Sequence, residues 1–417
     1  MPITVSLVNQ QQCYAGNDRI RGRVIFQCPT PTEIQDIRVT FSGRAKAKVQ
    51  KTKGSAAPAA SYRSKCILFE KERILWHPNG DTVAPDTYEW PFEFVFPSHV
   101  QAASSRWPET LPFRSDANHP LPPTFAAETH DSLRKLECTI EYRVHAQVFK
   151  PQRGILGRKS PLFSEVVQLN FLPLEARWDM KSTDSYPATY QQQKEQLFNI
   201  RSILLLPENK GRSLKVQEKI QSWLSPGQLP RFSFKACFSY PTRVIQSAPI
   251  PCFLDITPFM EDSSVISPPD IVMQSLSIFM VSQTAARAAP SLMGALSGQV
   301  DERIEILSRT SLGMRVMGKV DLAQAFGHLR IRHTDVSFRT FNISRTYRLC
   351  ASFSFECAGK TSTFDVPDLP VELLANSREP EKATQSFEGH VAEDASPPPY
   401  ASASTLSTSS ITTPEKS

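Results

Sequence analysis

Cys138-Thr139-Ile140-Glu141-Tyr142-Arg143-Val144-His145-Ala146 alternates apolar and polar side chains over its whole length. A period of two puts Ile140, Tyr142, Val144 and Ala146 on one face and Glu141, Arg143 and His145 on the other. That is a strand with one buried face. The same period recurs toward the N-terminus. Ile3, Val5 and Leu7 alternate with Thr4 and Ser6, and Arg21–Phe26 returns after turn residues at Tyr14–Asp18. Ile37, Val39 and Phe41 share a face. The chain then runs through Ser42-Gly43 into a stretch where Ala45, Ala47 and Val49 point one way and Arg44, Lys46 and Lys48 the other. Ile67–Phe69 and Arg73–Trp76 read as short strands on either side of a polar break. Tyr88–Phe96 turns Phe92, Phe94 and Phe96 inward, and Ser164–Leu172 reads as a last strand. Lys51–Ser61 is a Gly/Ala/Ser-rich insertion, and Pro97–Phe125 is a long proline-rich connection. Many strands, turn residues between them and no strong helix predict an antiparallel sandwich.

A second series follows a polar linker at Thr183–Gln193. Phe198–Leu206 reads as a buried strand. Ser213–Leu224 is the best helix candidate, with Ser213 as its cap and Pro226-Gly227 as its stop. From Pro230 onward strands resume. Phe232, Phe234, Ala236 and Phe238 alternate, Ile250–Ile256 returns, and Gln274–Val281 and Arg303–Leu307 flank an Ala/Ser/Gly-rich insertion at Ser282–Gly298. Ser337–Leu349 leads into Ala351, Phe353 and Phe355, then Lys360–Phe364 and Val371–Leu374. The repeated order predicts a second sandwich. The expected organisation is an N-terminal sandwich over 1–175, a linker with a strand and a short helix over 176–229, a C-terminal sandwich over 230–375 and a tail over 376–417.

The whole chain of 417 residues exceeds what one ordinary core holds. Its net charge of +6 conceals an asymmetry. The tail from Asn376 carries three basic and six acidic residues of the chain's 47 and 41; the body therefore carries 44 and 35, a net +9. A basic body suggests anionic partners, membrane surfaces or acidic peptides, rather than nucleic acid. Two clusters stand out: Arg44, Lys46, Lys48, Lys51 and Lys53, and Lys150, Arg153, Arg158 and Lys159. Near an anionic leaflet each such charge contributes roughly 1 kcal/mol. No apolar run reaches the ~18 residues of a membrane helix, and the N-terminus has no signal-peptide core, so a cytosolic location is expected. The eight cysteines, without a Cys-x-x-Cys pair, read as reduced packing residues. The eight histidines are scattered and read as surface residues, and Asn342-Ile343-Ser344 as an incidental glycosylation acceptor. No nucleophile elbow, zinc-hydrolase helix or phosphate loop occurs, Gly154–Ser160 lacking the Gly-Lys step. No catalytic residue, metal or cofactor is expected.

The tail is mostly Ser, Thr, Ala and Pro, with Phe387 and Tyr400 as its aromatics. Such a segment is expected to be disordered, because it cannot bury enough apolar surface to offset its ordering entropy. Within it, Pro397-Pro398-Pro399 holds the backbone near polyproline II before Tyr400. Pro397, Pro398 and Tyr400 are the residues a WW-type aromatic groove would read, with Pro399 at the variable position.

Three stretches resemble the arrestin family, specifically the alpha-arrestins or arrestin-related trafficking adaptors. Tyr14–Val24 resembles the family's opening pattern, with Asn17 followed by Asp18 and with Gly22-x-Val24 at its end. Leu121-Pro122-Pro123-Thr124-Phe125 followed by Ile140–Ala146 resembles the end of its first lobe. Phe338–Leu349 resembles the Phe-x-Thr-x-Asn-Ile-x-Arg-x-Tyr-x-Leu strand of its second. The resemblance spans roughly residues 1–375 and implies two tandem immunoglobulin-like, arrestin-type sandwiches. It also implies a non-enzymatic adaptor joining a WW-domain HECT-type ubiquitin ligase to the cytosolic tails of membrane transporters or receptors. The expected outcome is endocytic sorting from a cytoplasmic site at the plasma membrane and endosomes. The alternative is a retromer-like trafficking subunit acting without a ligase.

Overall fold

The first lobe is a sandwich of two antiparallel sheets. The computed structural model describes residues 2–51, 61–77, 82–101, 110–151, 160–174, 177–178, 191–209, 212, 229–261, 263–291, 294–332 and 335–376. The chain divides into two compact units, Met1–Pro380 and Glu381–Ser417, and every described residue lies in the first. The helix expected over Ser213–Leu224 and the tail motif Pro397–Tyr400 lie outside the described residues.

One sheet joins β1 (Ile3–Val8), β2 (Arg19–Cys28) and β5 (Asp86–Val95). The other joins β8 (Pro161–Leu169), β7 (Arg134–Phe149), β3 (Asp36–Lys51) and β4 (Ser61–Trp76), with β6 (Phe125–His130) also on β7. The alternation at Cys138–Ala146 is the centre of β7, where residues buried outright take turns with half-buried ones. Between the sheets, Phe41 lies 4.7 Å from Phe69 and 4.8 Å from Phe96, ring centre to ring centre, and Phe96 stacks on Phe171 at 4.8 Å. Each such ring removed from water contributes about 1.5–3 kcal/mol. The two short strands expected at Ile67–Phe69 and Arg73–Trp76 are one, β4. Glu70, Lys71 and Glu72, which read as a break, pair with Ser42, Phe41 and Thr40. Ladder bonds are made by the backbone, so polar side chains on an outer face do not end them.

The second lobe repeats the plan. β9 (Gln191–Arg201), β10 (Arg231–Pro241), β11 (Phe253–Phe259) and β14 (Gly318–Asp321) form one sheet. The other runs β16 (Lys360–Asn376), β15 (Ile343–Cys357), β12 (Ile271–Ser291) and β13 (Gly294–Arg309). Its core centres on Phe198, Phe234, Phe353, Phe355 and Phe364. None of the eight cysteines, all among the described residues, forms a disulfide.

Ser282–Gly298 is not an insertion between strands. It is the far half of a hairpin made by β12 and β13, whose pairing runs from Leu276–Arg309 to Ser291–Gly294. The small side chains there serve close packing. Ala286, Ala288 and Val300 belong to the first lobe's core, not the second's. At Gly298 an added Cβ would lie 2.7 Å from Leu136 Cδ2 and 3.3 Å from Val49 Cγ1. The hairpin therefore lies against β3 and β7 so closely that a Cβ at 298 would require Leu136 to move. Gly298→Val is expected to lower stability by about 1–3 kcal/mol through overpacking. Ser297→Val, at an exposed neighbour, should leave it nearly unchanged; thermal denaturation of the two variants decides.

Candidate functional site: the buried polar seam between the lobes

The hairpin and the start of β15 bring polar groups into a seam that strand parity alone would fill with apolar ones. Ile343, Arg345, Tyr347 and Leu349 are all buried, at alternate positions of one strand. Arg345 is only 2% exposed. Its Nε donates to the Tyr347 hydroxyl at 3.1 Å, and a terminal nitrogen donates to Thr284 Oγ1. Glu302 and Asp335 stand 3.7 and 3.8 Å from its other terminal nitrogen. The guanidinium is thus buried with its hydrogen bonds supplied and carboxylates beside it, the condition under which a buried charge is tolerated.

A second knot joins the lobes directly. Asn342, fully buried, donates from Nδ2 to Ser64 Oγ at 2.9 Å and to the Ala45 carbonyl at 3.3 Å. Ser64 Oγ donates to the Arg287 carbonyl at 2.8 Å, and the Arg287 N–H to the Asn342 carbonyl at 2.9 Å. The Arg287 side chain donates to the Phe341 carbonyl at 2.5 Å and to Thr110 Oγ1 at 3.1 Å, with its guanidinium 4.6 Å from the centre of the Phe113 ring. Burial pushes its pKa down to about 10, which leaves it a cation at neutral pH.

His119 closes the seam from the first lobe. Nδ1 meets the Asp116 carbonyl at 2.7 Å, Nε2 meets Thr340 Oγ1 at 2.9 Å, and the ring stands edge-on to Phe341 at 4.8 Å. Burial lowers its pKa against the opposing pull of the Asp116 carbonyl. Phe125 and Phe338 add a ring contact across the seam at 5.0 Å. Chemically these groups fix geometry. Carbonyl and hydroxyl oxygens accept from Nε and one terminal nitrogen of Arg345 and from the Arg287 side chain, so the arrangement is a latch between the sandwiches.

The expected site residues fare unevenly. Arg44, Lys46 and Lys48 do lie on one face of β3, but acids from β7 stand beside them. Arg44 and Lys46 both pair with Glu141, the latter at 3.2 Å, and Lys48 pairs with Glu137 at 2.8 Å. Burial pushes the Glu141 carboxyl up, yet its hydrogen bond to Arg44 and the charges of Arg44 and Lys46 outweigh this and hold it below the usual range. What local spacing reads as an unopposed row is a cross-strand ladder of ion pairs. Lys51 and Lys150 are exposed beyond it. Lys53, Arg153, Arg158, Lys159, Pro397, Pro398 and Tyr400 lie outside the described residues.

Sequence reading missed the seam. His119 is buried, against the expectation of surface histidines, because the connection after Pro97 folds it under Thr340. Asn342 is buried too, so its amide is closed to glycosylation. Two features could have pointed to the seam: Arg287 as a lone cation among alanines, and Arg345 in phase with inward-facing Ile343 and Tyr347.

Residues 3–161 match the family model for the arrestin (or S-antigen) N-terminal domain, which covers the first sandwich from β1 to the start of β8. No match was found among curated proteins. The first lobe is therefore of the arrestin N-terminal class.

Asn342→Asp keeps the shape but replaces the donor to Ala45 with a second acceptor. We expect it to cost about 2–4 kcal/mol, from an unpaired buried carbonyl and a buried charge, read by chemical denaturation. Acid should weaken the fold as well. His145, on the same face as Arg143 and Arg44, is held down to about 4, chiefly by burial and then by those two charges. Its unfolded value is near 6.5, so the unfolded chain binds more protons between about 4 and 6.5. The stability from His145 and His119 is full above about 6.5 and declines as pH falls below it. Denaturation midpoints between pH 7.5 and 5 should fall, and should fall less for His145→Gln.

Proposed function

We propose that the chain is a non-enzymatic adaptor of the arrestin-related trafficking type. Its two lobes hold the cytosolic tail of a membrane transporter or receptor, and Pro397, Pro398 and Tyr400 hold a WW-domain HECT-type ubiquitin ligase. Tethering raises the ligase's effective concentration at cargo lysines and supplies specificity without chemistry in the adaptor. The result is ubiquitin-dependent endocytosis and sorting, with the protein cytoplasmic and peripheral to the plasma membrane and endosomes. The observation that carries the adaptor reading is the arrestin N-terminal domain over residues 3–161. The ligase half rests on the tail motif. Contact with an anionic membrane surface belongs to the same reading, with Lys51 and Lys150, exposed beyond the ion-paired ladder, as its described contributors.

The test is titration of a WW-domain panel against a peptide spanning Glu388–Thr405 and against the full chain. Pro397 and Pro398 should pack on the aromatic groove with Tyr400 as the anchor, and truncating such an anchor costs ~2 kcal/mol or more, roughly thirtyfold in affinity. Tyr400→Ala should abolish binding and cargo ubiquitylation while leaving the melting temperature unchanged, and Pro399→Ala should be mild. A wild-type peptide that binds no WW domain removes the ligase and leaves the trafficking-subunit alternative.

A further inference from the structure

A cavity of about 410 Å³ opens where the proline stretch of the first lobe meets the short strand Phe338–Arg339 and β16 of the second. Its size falls within the ~300–1,000 Å³ of small-ligand pockets. Pro122 and Pro123, both buried, form one wall, and the rings of Phe338 and Tyr347 form another. Proline nitrogens donate no hydrogen bond, so this part of the lining favours an apolar side chain.

Two exposed arginines stand in the lining. Arg114 and Arg339 are exposed and come from different lobes. Arg339 makes no ion pair with a described residue, and Arg114 reaches Asp116 only at 4.0 Å. The one carboxylate of the lining, Glu372, is already held by Arg243 at 2.9 Å. Arg345, at the inner end, is committed to Thr284, Tyr347, Glu302 and Asp335. Two guanidiniums are therefore available to an anion beside the apolar wall of Pro122, Pro123 and Phe338.

We infer that this groove binds a short acidic peptide, seating one large apolar side chain against Pro122, Pro123 and Phe338, with flanking carboxylates on Arg114 and Arg339. Charge complementarity chooses the occupant. Nucleic acid and polyphosphate headgroups are held by several converging cations; here the two uncommitted ones come from different lobes and flank a wall of proline and phenylalanine. Guanidinium pairs with carboxylate in a planar fork, and an apolar side chain between two acids satisfies both halves of the lining. The inference names a surface for an acidic partner and does not depend on the ligase reading.

The probe is a fluorescein-labelled nonapeptide with a central Glu-Phe-Glu between Gly/Ser flanks, titrated against the full chain by fluorescence anisotropy. Counterparts carry Gln-Phe-Gln and Glu-Gly-Glu. Saturable binding should weaken about tenfold for each counterpart and for the chain carrying Arg114→Gln with Arg339→Gln. Both positions are exposed, so the melting temperature should hold. If that variant misfolds, a salt titration of the wild-type chain reads the charge contribution without substitution, and affinity should fall as ionic strength rises. Tyr400→Ala should leave probe binding intact, which separates failure of this inference from failure of the ligase reading. Absence of saturation up to about 1 mM, equal binding of the Gln-Phe-Gln probe, or insensitivity to both the arginine variant and salt overturns the inference. So does arginine-dependent binding of phosphatidylserine vesicles or inositol hexakisphosphate that exceeds that of the peptide.

Discussion

The hydrogen bonds of Asn342 are the constraint on which the rest of the structure depends. Its amide reaches Ala45 and Ser64 in the first lobe, and its carbonyl receives the Arg287 N–H from the hairpin of the second. Every partner is buried, so each bond must be made or its groups go unsatisfied away from water. Such a knot has few alternative geometries. It sets where β3 and β4 meet β12 and β15, and hence where the proline stretch meets Phe338.

Around that knot the division of labour is conventional for sandwiches. Phenylalanine-rich cores hold each pair of sheets, and burial of those rings supplies most of the stabilisation. The seam adds specificity. Buried cations at 287 and 345 do not strengthen a core as apolar residues would. Their bonds are directional, however, and Phe113 of the first lobe lies under the Arg287 guanidinium while Phe125 meets Phe338 across the seam. Ala286, Ala288 and Val300 carry the second lobe's hairpin into the first lobe's core, so the two lobes form one compact unit.

This arrangement bears on function through reach and rigidity. An adaptor that positions a partner at cargo gains if its two lobes do not drift against one another, because effective concentration falls with the freedom of the tether. On the proposed adaptor reading the latch would hold the lobes together in this way, and the groove beside it gathers residues from both lobes.

Alternation at Cys138–Ala146, Ala45–Val49 and Phe232–Phe238 determined the strands, since parity is a property of the backbone and needs no partner to be read. The all-β class and the doubled sandwich followed from it. The tail motif Pro397–Tyr400 is read from the sequence alone and lies outside the described residues. Pairing across strands was not legible. Glu141 lies 97 residues from Arg44, and only the β3–β7 register brings it alongside to offset that charge. The same holds for Arg287, which sequence placed in an insertion and the tertiary structure placed in a hairpin against the other lobe. Local spacing records what a residue prefers. Which distant residue it meets is decided by register and by the packing of whole sheets, which the seam between the lobes depends on throughout.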